Sequence, residues 1–288
     1  MKTKVLFIIN PHSGRKRRKD IEVLAHQRMN PSLFDLEFRY TEYAGHAVEI
    51  ARESDADVVV AVGGDGTVNE VARGLLGSGK VMGIIPMGSG NGLALHFGIS
   101  RNPARALDVI SRMKVAEMDC GTIDGRLFCC TCGVGLDAEV SARFASSSSR
   151  GLGTYILDAL KVWNGYKPSH YILTIDGRKL DTDAVLITVG NACQWGNNAY
   201  ICPGAETDDG LLDITLIKPF NSLAIPVLAR FLMTGMLKKS VLVRSYRGRE
   251  IRIVRDSKGW AHYDGDCVEL GDDINIGIKP STLKVIVP

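Results

Sequence analysis

The segment Gly63-Gly64-Asp65-Gly66-Thr67 restricts the fold more than any other stretch of this chain. It directly follows a largely apolar, β-branched run, Asp57 to Val62, and directly precedes an amphipathic stretch at helical spacing, Thr67 to Leu76. A strand that feeds a helix through a glycine turn is half of a βαβ unit, and such units build parallel sheets with helices on both faces. The same alternation continues on either side. Lys4 to Asn10, Leu36 to Thr41 and Val81 to Ile85 read as strands, and Arg15 to Arg28 and Gly45 to Arg52 read as helices. The glycine-rich segments, at Gly14, Gly63 to Gly66 and Gly88 to Gly92, all fall where a strand ends or a helix begins. That rim is where open α/β sheets bind ligands.

Glycines at such a turn let the backbone approach an anion, the helix start offers unpaired N–H groups, and Thr67 adds a hydroxyl. An aspartate inside a phosphate cradle calls for a cation or a transferable proton, which makes Asp65 a candidate for magnesium contact or proton handling in phosphoryl transfer. The plainer alternative is a tight turn with Asp65 as helix cap. Pro86 to Gly92 repeats the physics, with Ser89 or Asn91 able to bond a phosphate or cap the helix, and Asn10 to Gly14 is a third loop of this type. Gly74 to Lys80 matches GxxxxGK, yet Val81 stands where a Walker loop needs Ser or Thr, and the segment follows a helix and precedes a strand.

After about residue 120 short strands dominate. They are expected at Leu127 to Thr131, Tyr171 to Ile175, Ala184 to Gly190, Leu212 to Leu216, Val241 to Tyr246, Glu250 to Arg255, Ile274 to Ile278 and Leu283 to Val287. Helices are expected at Thr154 to Trp163 and Ser222 to Leu237, and the serine run with Arg150 and Gly151 reads as a mobile loop. With 288 residues the chain suits two domains. An α/β domain over 1–120 and a β-rich domain over 121–288 are expected, with the C-terminal tail a candidate to pack back on the first. Lys plus Arg is 35 against 32 for Asp plus Glu, too even for a nucleic-acid footprint over the whole surface. No apolar run reaches the roughly 18 residues of a membrane span, so a cytoplasmic protein is expected. Cys129, Cys130 and Cys132 crowd one apolar stretch and read as reduced core thiols.

In order, Asn10 to Gly14, Gly63 to Glu70 and Gly88 to Asn91 resemble the NPxSG, GGDGTxNE and GSGN motifs of the diacylglycerol kinase catalytic domain family, which includes bacterial soluble lipid kinases, sphingosine kinases and ceramide kinases. Gly133 to Ala138 is similar to its GxDA segment, and Pro203 to Asp213 resembles its PxAxxxDGxLD element. Asp264-Gly265-Asp266 stands where the family has DGE. The likeness spans residues 4 to 288.

The resemblance implies an ATP-dependent kinase acting on a lipid hydroxyl, with an α/β nucleotide domain of the NAD-kinase and diacylglycerol-kinase type, a C-terminal β-sandwich and the site in the cleft. Carried over by position, Asn10, Pro11, His12, Ser13, Gly14, Thr41, Gly63, Gly64, Asp65, Gly66, Thr67, Asn69 and Ser89 would bind the nucleotide. The family's proton acceptor is matched by Asp266, one methylene shorter, which leaves the base role between Asp266 and Asp65. A structural Mg2+ would be held by the Asp209 carboxylate and the backbone carbonyls of Glu206 and Leu211, the alternative being an ordinary Asp-Gly turn.

The lipid stays open. Gly92 departs from the Asp usual in diacylglycerol kinases and resembles sphingosine kinases, whereas the compact length resembles bacterial diacylglycerol kinases, and diacylglycerol is the first expectation. Asp137 would pair with the ammonium of a sphingoid base, or else tie the domains together as a structural cap. An NAD kinase would share GGDGT and a β-sandwich, but GSGN and the DDGLLD element argue against it. A non-catalytic nucleotide- or lipid-binding protein is kept open by Asp266. The expected setting is phospholipid metabolism, with a lipid substrate at the inner membrane surface and no nucleic-acid partner. The basic run Arg15 to Lys19 would neutralise ATP phosphates, hold anionic lipid or form a solvated helix face. Ser222 to Leu237 would either pack in the core or dip into a bilayer interface. A homodimer is left open.

Overall fold

The computed structural model of the protein describes residues 2–14, 21–146 and 152–288. The Arg15 to Lys19 run, and Arg150 and Gly151 with the end of the serine run, lie outside the described residues. The chain divides into two units, Met1–Met118 with Ser281–Pro288, and Asp119–Pro280.

In the first unit β1 (Thr3–Ile9), β2 (Phe34–Tyr40), β3 (Val58–Gly63) and β4 (Val81–Pro86) lie in the order β2-β1-β3-β4, all parallel. The end of the chain adds a further parallel partner, Lys284 opposite Val81 and Val285 opposite Met82. Every residue of β3 is buried, as an inner strand of a parallel sheet covered on both faces must be. The strands alternate with α1 (Ile21–Arg28), α2 (His46–Glu53), α3 (Asp65–Leu75), α4 (Gly92–His96) and α5 (Pro103–Arg112). Val68, Val71, Ala72 and Leu75 form one buried stripe of α3. A Cβ on Gly74 would lie 2.6 Å from the Ala51 Cβ, so this glycine lets α3 approach α2. The GxxxxGK match therefore begins inside a helix, and the Lys80 ammonium caps the Ser54 carbonyl.

β5 (Val115–Ile123) runs on into the second unit, which holds two antiparallel sheets. Its elements in chain order are β6 (Arg126–Phe128), β7 (Thr131–Gly135), α6 (Leu136–Ser146), α7 (Leu152–Trp163), β8 (Ser169–Ile175), β9 (Arg178–Ala184), β10 (Leu186–Gly190), β11 (Leu212–Ile217), α8 (Ile225–Met233), β12 (Val243–Gly248), β13 (Glu250–Arg255), β14 (Gly259–Tyr263), β15 (Asp266–Leu270) and β16 (Asp273–Ile286). One sheet has the order β12-β11-β10-β7-β14-β15. The other pairs β13 with β16 and β8, and β8 with β9. Val134, Ile187 and Ile214 from the first meet Leu173, Ile253 and Ile274 from the second in one apolar core, which makes this unit a β-sandwich.

β5, β9, β14, β15, α4 and α5 are not among the expected elements, and the expected helix Ser222 to Leu237 is α-helical only over Ile225–Met233. Three further differences have identifiable reasons. The expected strand Leu127 to Thr131 is broken at Cys129 and Cys130, because their N–H groups go to the Asp264 carboxylate instead of a ladder. The two expected terminal strands are one, β16, which continues through Pro280 and a left-handed Ser281 (φ 47°). The helix α6 carries too weak an apolar stripe to announce itself in sequence. Cys129, Cys130 and Cys132 are buried free thiols. A hydrogen bond with Cys120, then burial, raises the Cys129 thiol well above its ordinary pKa, and burial does the same at Cys132.

Candidate active site

The expected nucleotide residues of the first unit gather at the carboxyl ends of its parallel strands. Gly63 closes β3, Gly64 caps α3 and Asp65 is its first residue. The Asp65 carboxylate reaches the next loop, where Oδ2 accepts from the Asn91 N–H (2.8 Å) and Oδ1 from the Gly92 N–H (2.6 Å). The two glycine loops touch: a Cβ on Gly88 would lie 2.5 Å from the Gly64 Cα. Asn91, left-handed at φ 57°, closes its own loop by accepting from the Gly88 N–H and donating to the Gly88 carbonyl. Asn10 donates to the Thr67 hydroxyl (3.1 Å) and accepts from the His12 N–H, which ties the first loop to the second. Gly14, at φ +61°, sits against Met87. Thr41 directly follows β2 on the same rim, and its N–H donates to the Ile9 carbonyl. Asn69 is buried, while Ser89 is exposed at the loop tip. Backbone N–H groups, small residues and an exposed hydroxyl at a strand-to-helix rim can bind a polyanion.

Glu70, at the end of the same motif, has a different task. Its carboxylate accepts from the Gly45 N–H (2.9 Å) and the Ala47 N–H (3.2 Å), so it caps α2.

In the second unit Asp264 and Gly265 (φ 47° and 88°) form the two-residue turn of the β14–β15 hairpin, with Tyr263 paired to Asp266. The buried Asp264 carboxylate accepts from Cys129 N–H (2.7 Å), Cys130 N–H (2.7 Å) and Thr131 N–H (3.2 Å). Asp264 thus fixes the turn, and Asp266 one step on is exposed.

Asp137, at the start of α6, is buried over Gly133, which lies between Thr188 and His262 in the β10-β7-β14 register. Its Oδ2 accepts from the Thr188 hydroxyl (2.7 Å) and lies 2.9 Å from His262 Nε2, and a Cβ on Gly133 would sit 2.9 Å from that oxygen. Oδ1 accepts from the Ala138 N–H (2.9 Å), so both oxygens of Asp137 already have partners within this unit.

Residues 4–123 match the diacylglycerol kinase catalytic domain, and residues 130–287 match the YegS C-terminal NAD kinase beta sandwich-like domain. The chain belongs to the family built from these two domains, the diacylglycerol kinase catalytic domain and the YegS C-terminal NAD kinase beta sandwich-like domain. A Pseudomonas aeruginosa relative named as a YegS-like lipid kinase is 27% identical over all of this chain and 95% of its own length. A Chromohalobacter salexigens relative of the same name is 34% identical over 65% of this chain and 63% of that protein. The Bacillus subtilis diacylglycerol kinase is 28% identical over 75% of this chain and 74% of its own length. A crystal structure of a candidate diacylglycerol kinase from Bacillus anthracis superposes with a TM-score of 0.82 at 27% identity, covering 99% of this chain and 95% of that one. An NAD kinase from Archaeoglobus fulgidus in complex with ATP shares the fold alone, with a TM-score of 0.53 at 14% identity, covering 99% of this chain and 93% of that one.

Measured against the magnesium site that the diacylglycerol kinase resemblance implies, Asp209 and Asp213 of the 206–213 turn already face cations. Asp209 Oδ2 is ion-paired with Arg247 and Oδ1 accepts from the Leu211 N–H (3.0 Å). Arg247 also holds Asp213 (3.0 Å), whose other oxygen faces Lys238 at 3.3 Å. Two carboxylates therefore meet two cations. The expected donors Glu206 and Leu211 offer carbonyls, but the one side-chain oxygen meant for the metal faces a guanidinium. The set does not fit a dication as it stands.

Sequence reasoning also missed Asp119. It is buried, accepts from the Gly210 N–H (2.8 Å), and its own N–H donates to the Thr207 carbonyl (2.6 Å), so it clamps the same turn. A lone acid in the apolar run Met118-Asp119-Cys120 was its only signal. A polar cavity of about 530 Å³ elsewhere in this unit is lined by His170, Arg255 and Lys258 among others. These cations are engaged by Asp181 and Asp183, by backbone carbonyls and by Glu269, respectively.

Proposed function

We propose that the protein transfers the γ-phosphoryl group of ATP to the hydroxyl of a membrane lipid, diacylglycerol in the first instance. The observation that carries this reading is the Asp65 brace. It holds two glycine loops together at the strand-end rim and leaves Ser89 exposed there. In this reading Asn10 to Gly14, Thr41, Gly63 to Thr67, Asn69 and Ser89 receive the nucleotide. Mg2+ arriving with ATP would neutralise charge on the phosphates.

Asp266 is the proposed base. It takes the proton of the lipid hydroxyl as that oxygen bonds to the γ-phosphorus, and the bond to the bridging oxygen breaks to release ADP. Asp264 supports it by fixing the turn that carries it, and Asp65 acts as the brace instead of the base. The names of the relatives from Bacillus subtilis and Pseudomonas aeruginosa support the lipid-kinase class.

The test is transfer from γ-labelled ATP to diacylglycerol in micelles, to sphingosine in micelles, and to NAD. Label in phosphatidic acid is the expected result. Label in sphingosine alone would replace the acceptor, label in NAD would replace the class, and none in any would leave a binding protein.

A further inference from the structure

The helix α8, Ile-Pro-Val-Leu-Ala-Arg-Phe-Leu-Met, carries one polar residue in nine. A helix apolar all round belongs in a core or in lipid. Its inner side does enter a core: Leu228 is buried, and Phe231 and Leu232 pack against the cluster of Leu186, Ile217 and Val243. Its outer side is open, with Val227 53% and Met233 47% exposed, and Leu223 in the preceding turn is 87% exposed.

This surface is joined to the end of α7. Trp163 stacks on Phe220 (centroids 4.7 Å apart, 18° between planes), and its Nε1–H donates to Ser222 Oγ (3.0 Å). Three residues before Trp163, Leu160 is 52% exposed, and Leu157 beyond it is 58% exposed. Large apolar side chains from two joined helices thus face solvent, and exposed apolar residues grouped in this way mark interaction surfaces.

The charge of the same segment identifies what covers it. Between Asp213 and Glu250 there is no acidic residue, whereas seven Lys or Arg fall in that interval of a chain whose net charge is only +3. Arg230, Lys239 and Arg244 are exposed there. Lys238 and Arg247 of this interval are ion-paired with Asp213 and Asp209, which leaves five. Exposed apolar side chains in a segment with such an excess of cations suit an anionic bilayer surface, where the former enter the acyl boundary and the latter meet phosphates.

We infer that the α7–α8 surface docks the protein on anionic lipid. The inference rests on the lipid-kinase reading only in that a membrane-borne acceptor gives the docking its purpose. Among the described residues no helix is long and apolar enough to cross a membrane, so the contact lies in the interface plane.

The test is co-sedimentation of the full chain with vesicles of phosphatidylcholine plus phosphatidylglycerol, without ATP, comparing wild type with Leu223→Glu/Val227→Glu. Both side chains are exposed, so the variant should fold with unchanged melting. Partitioning at least tenfold weaker in the variant, with unchanged turnover on detergent-dispersed diacylglycerol, is expected. A second variant changes all five residues Arg15 to Lys19 to Gln, and it should retain most of the binding. Three results would overturn the inference. One is equal binding by wild type and the Leu223/Val227 variant. Another is loss confined to the Arg15 to Lys19 variant. The third is a wild-type dimer that the Leu223/Val227 variant converts to monomer without vesicle binding in either form, which would assign the face to a second copy. Because no turnover enters the binding assay, failure of the kinase reading would show only in the transfer assay.

Discussion

The two units use the same dipeptide, Asp-Gly, in opposite ways. In the first, Asp65-Gly66 opens a helix, and the carboxylate reaches sideways to hold a second glycine loop. In the second, Asp124-Gly125, Asp176-Gly177 and Asp264-Gly265 each turn a hairpin with both residues at positive φ, and each aspartate accepts N–H groups from a different strand or loop. The first arrangement leaves a glycine rim open to an anion, whereas the second closes backbone groups off. An aspartate in a motif can therefore be a brace, and of the two carboxylates in Asp264-Gly265-Asp266 the second is the exposed one.

Breaking the brace of the first unit should have the largest effect. Asp65→Asn keeps the shape but turns an NH2 group toward one of the two N–H groups it served. Turnover should fall by at least about a hundredfold, with ATP affinity falling as well, as steady-state rates and calorimetry would show. A drop in turnover with ATP affinity unchanged would make Asp65 a reacting group rather than a brace.

The corresponding break in the second unit should appear first in stability. Asp264→Ala leaves the N–H groups of Cys129, Cys130 and Thr131 buried without this acceptor, at about 1–3 kcal/mol each. Thermal melting should drop by several degrees or more. Asp137→Ala strands Thr188 and His262 and should cost about 1–3 kcal/mol, with equal loss of activity on diacylglycerol and sphingosine. Loss confined to sphingosine would restore the ammonium contact.

The smallest effect belongs to Asp176, one of the two exposed aspartates of the hairpin set. Backbone hydrogen bonds from Glu250 and Arg249 hold the Asp176 carboxyl below its ordinary pKa. Its contribution is thus fully present above the ordinary carboxylate value and lost as pH falls through the lowered one. At the surface it should be worth under about 1 kcal/mol, read as a smaller acid destabilisation in Asp176→Ala than in wild type.

The glycine rim was legible in sequence because close approach permits only glycine there, as Gly64 against Gly88 shows. The strand alternation was legible for the same local reason, since β3 is buried along its whole length. What sequence did not announce was long-range. The partners of Asp264 lie some 130 residues away in the chain, Arg247 meets Asp213 through the β11–β12 register, and Asp119 meets Gly210 only in the fold. None of these pairings has a spacing rule. The helix α8 was legible as apolar, but not which of its sides would remain uncovered.

In the proposed division of labour the first unit holds the nucleotide and Asp266 in the second activates the acceptor hydroxyl. Steady-state kinetics of Asp266→Ala on diacylglycerol micelles tests it most directly. A kcat lower by about a hundredfold or more with the KM for ATP little changed is expected, with recovery in Asp266→Glu. An intact kcat, or a loss that falls mainly on the KM for ATP, would contradict it.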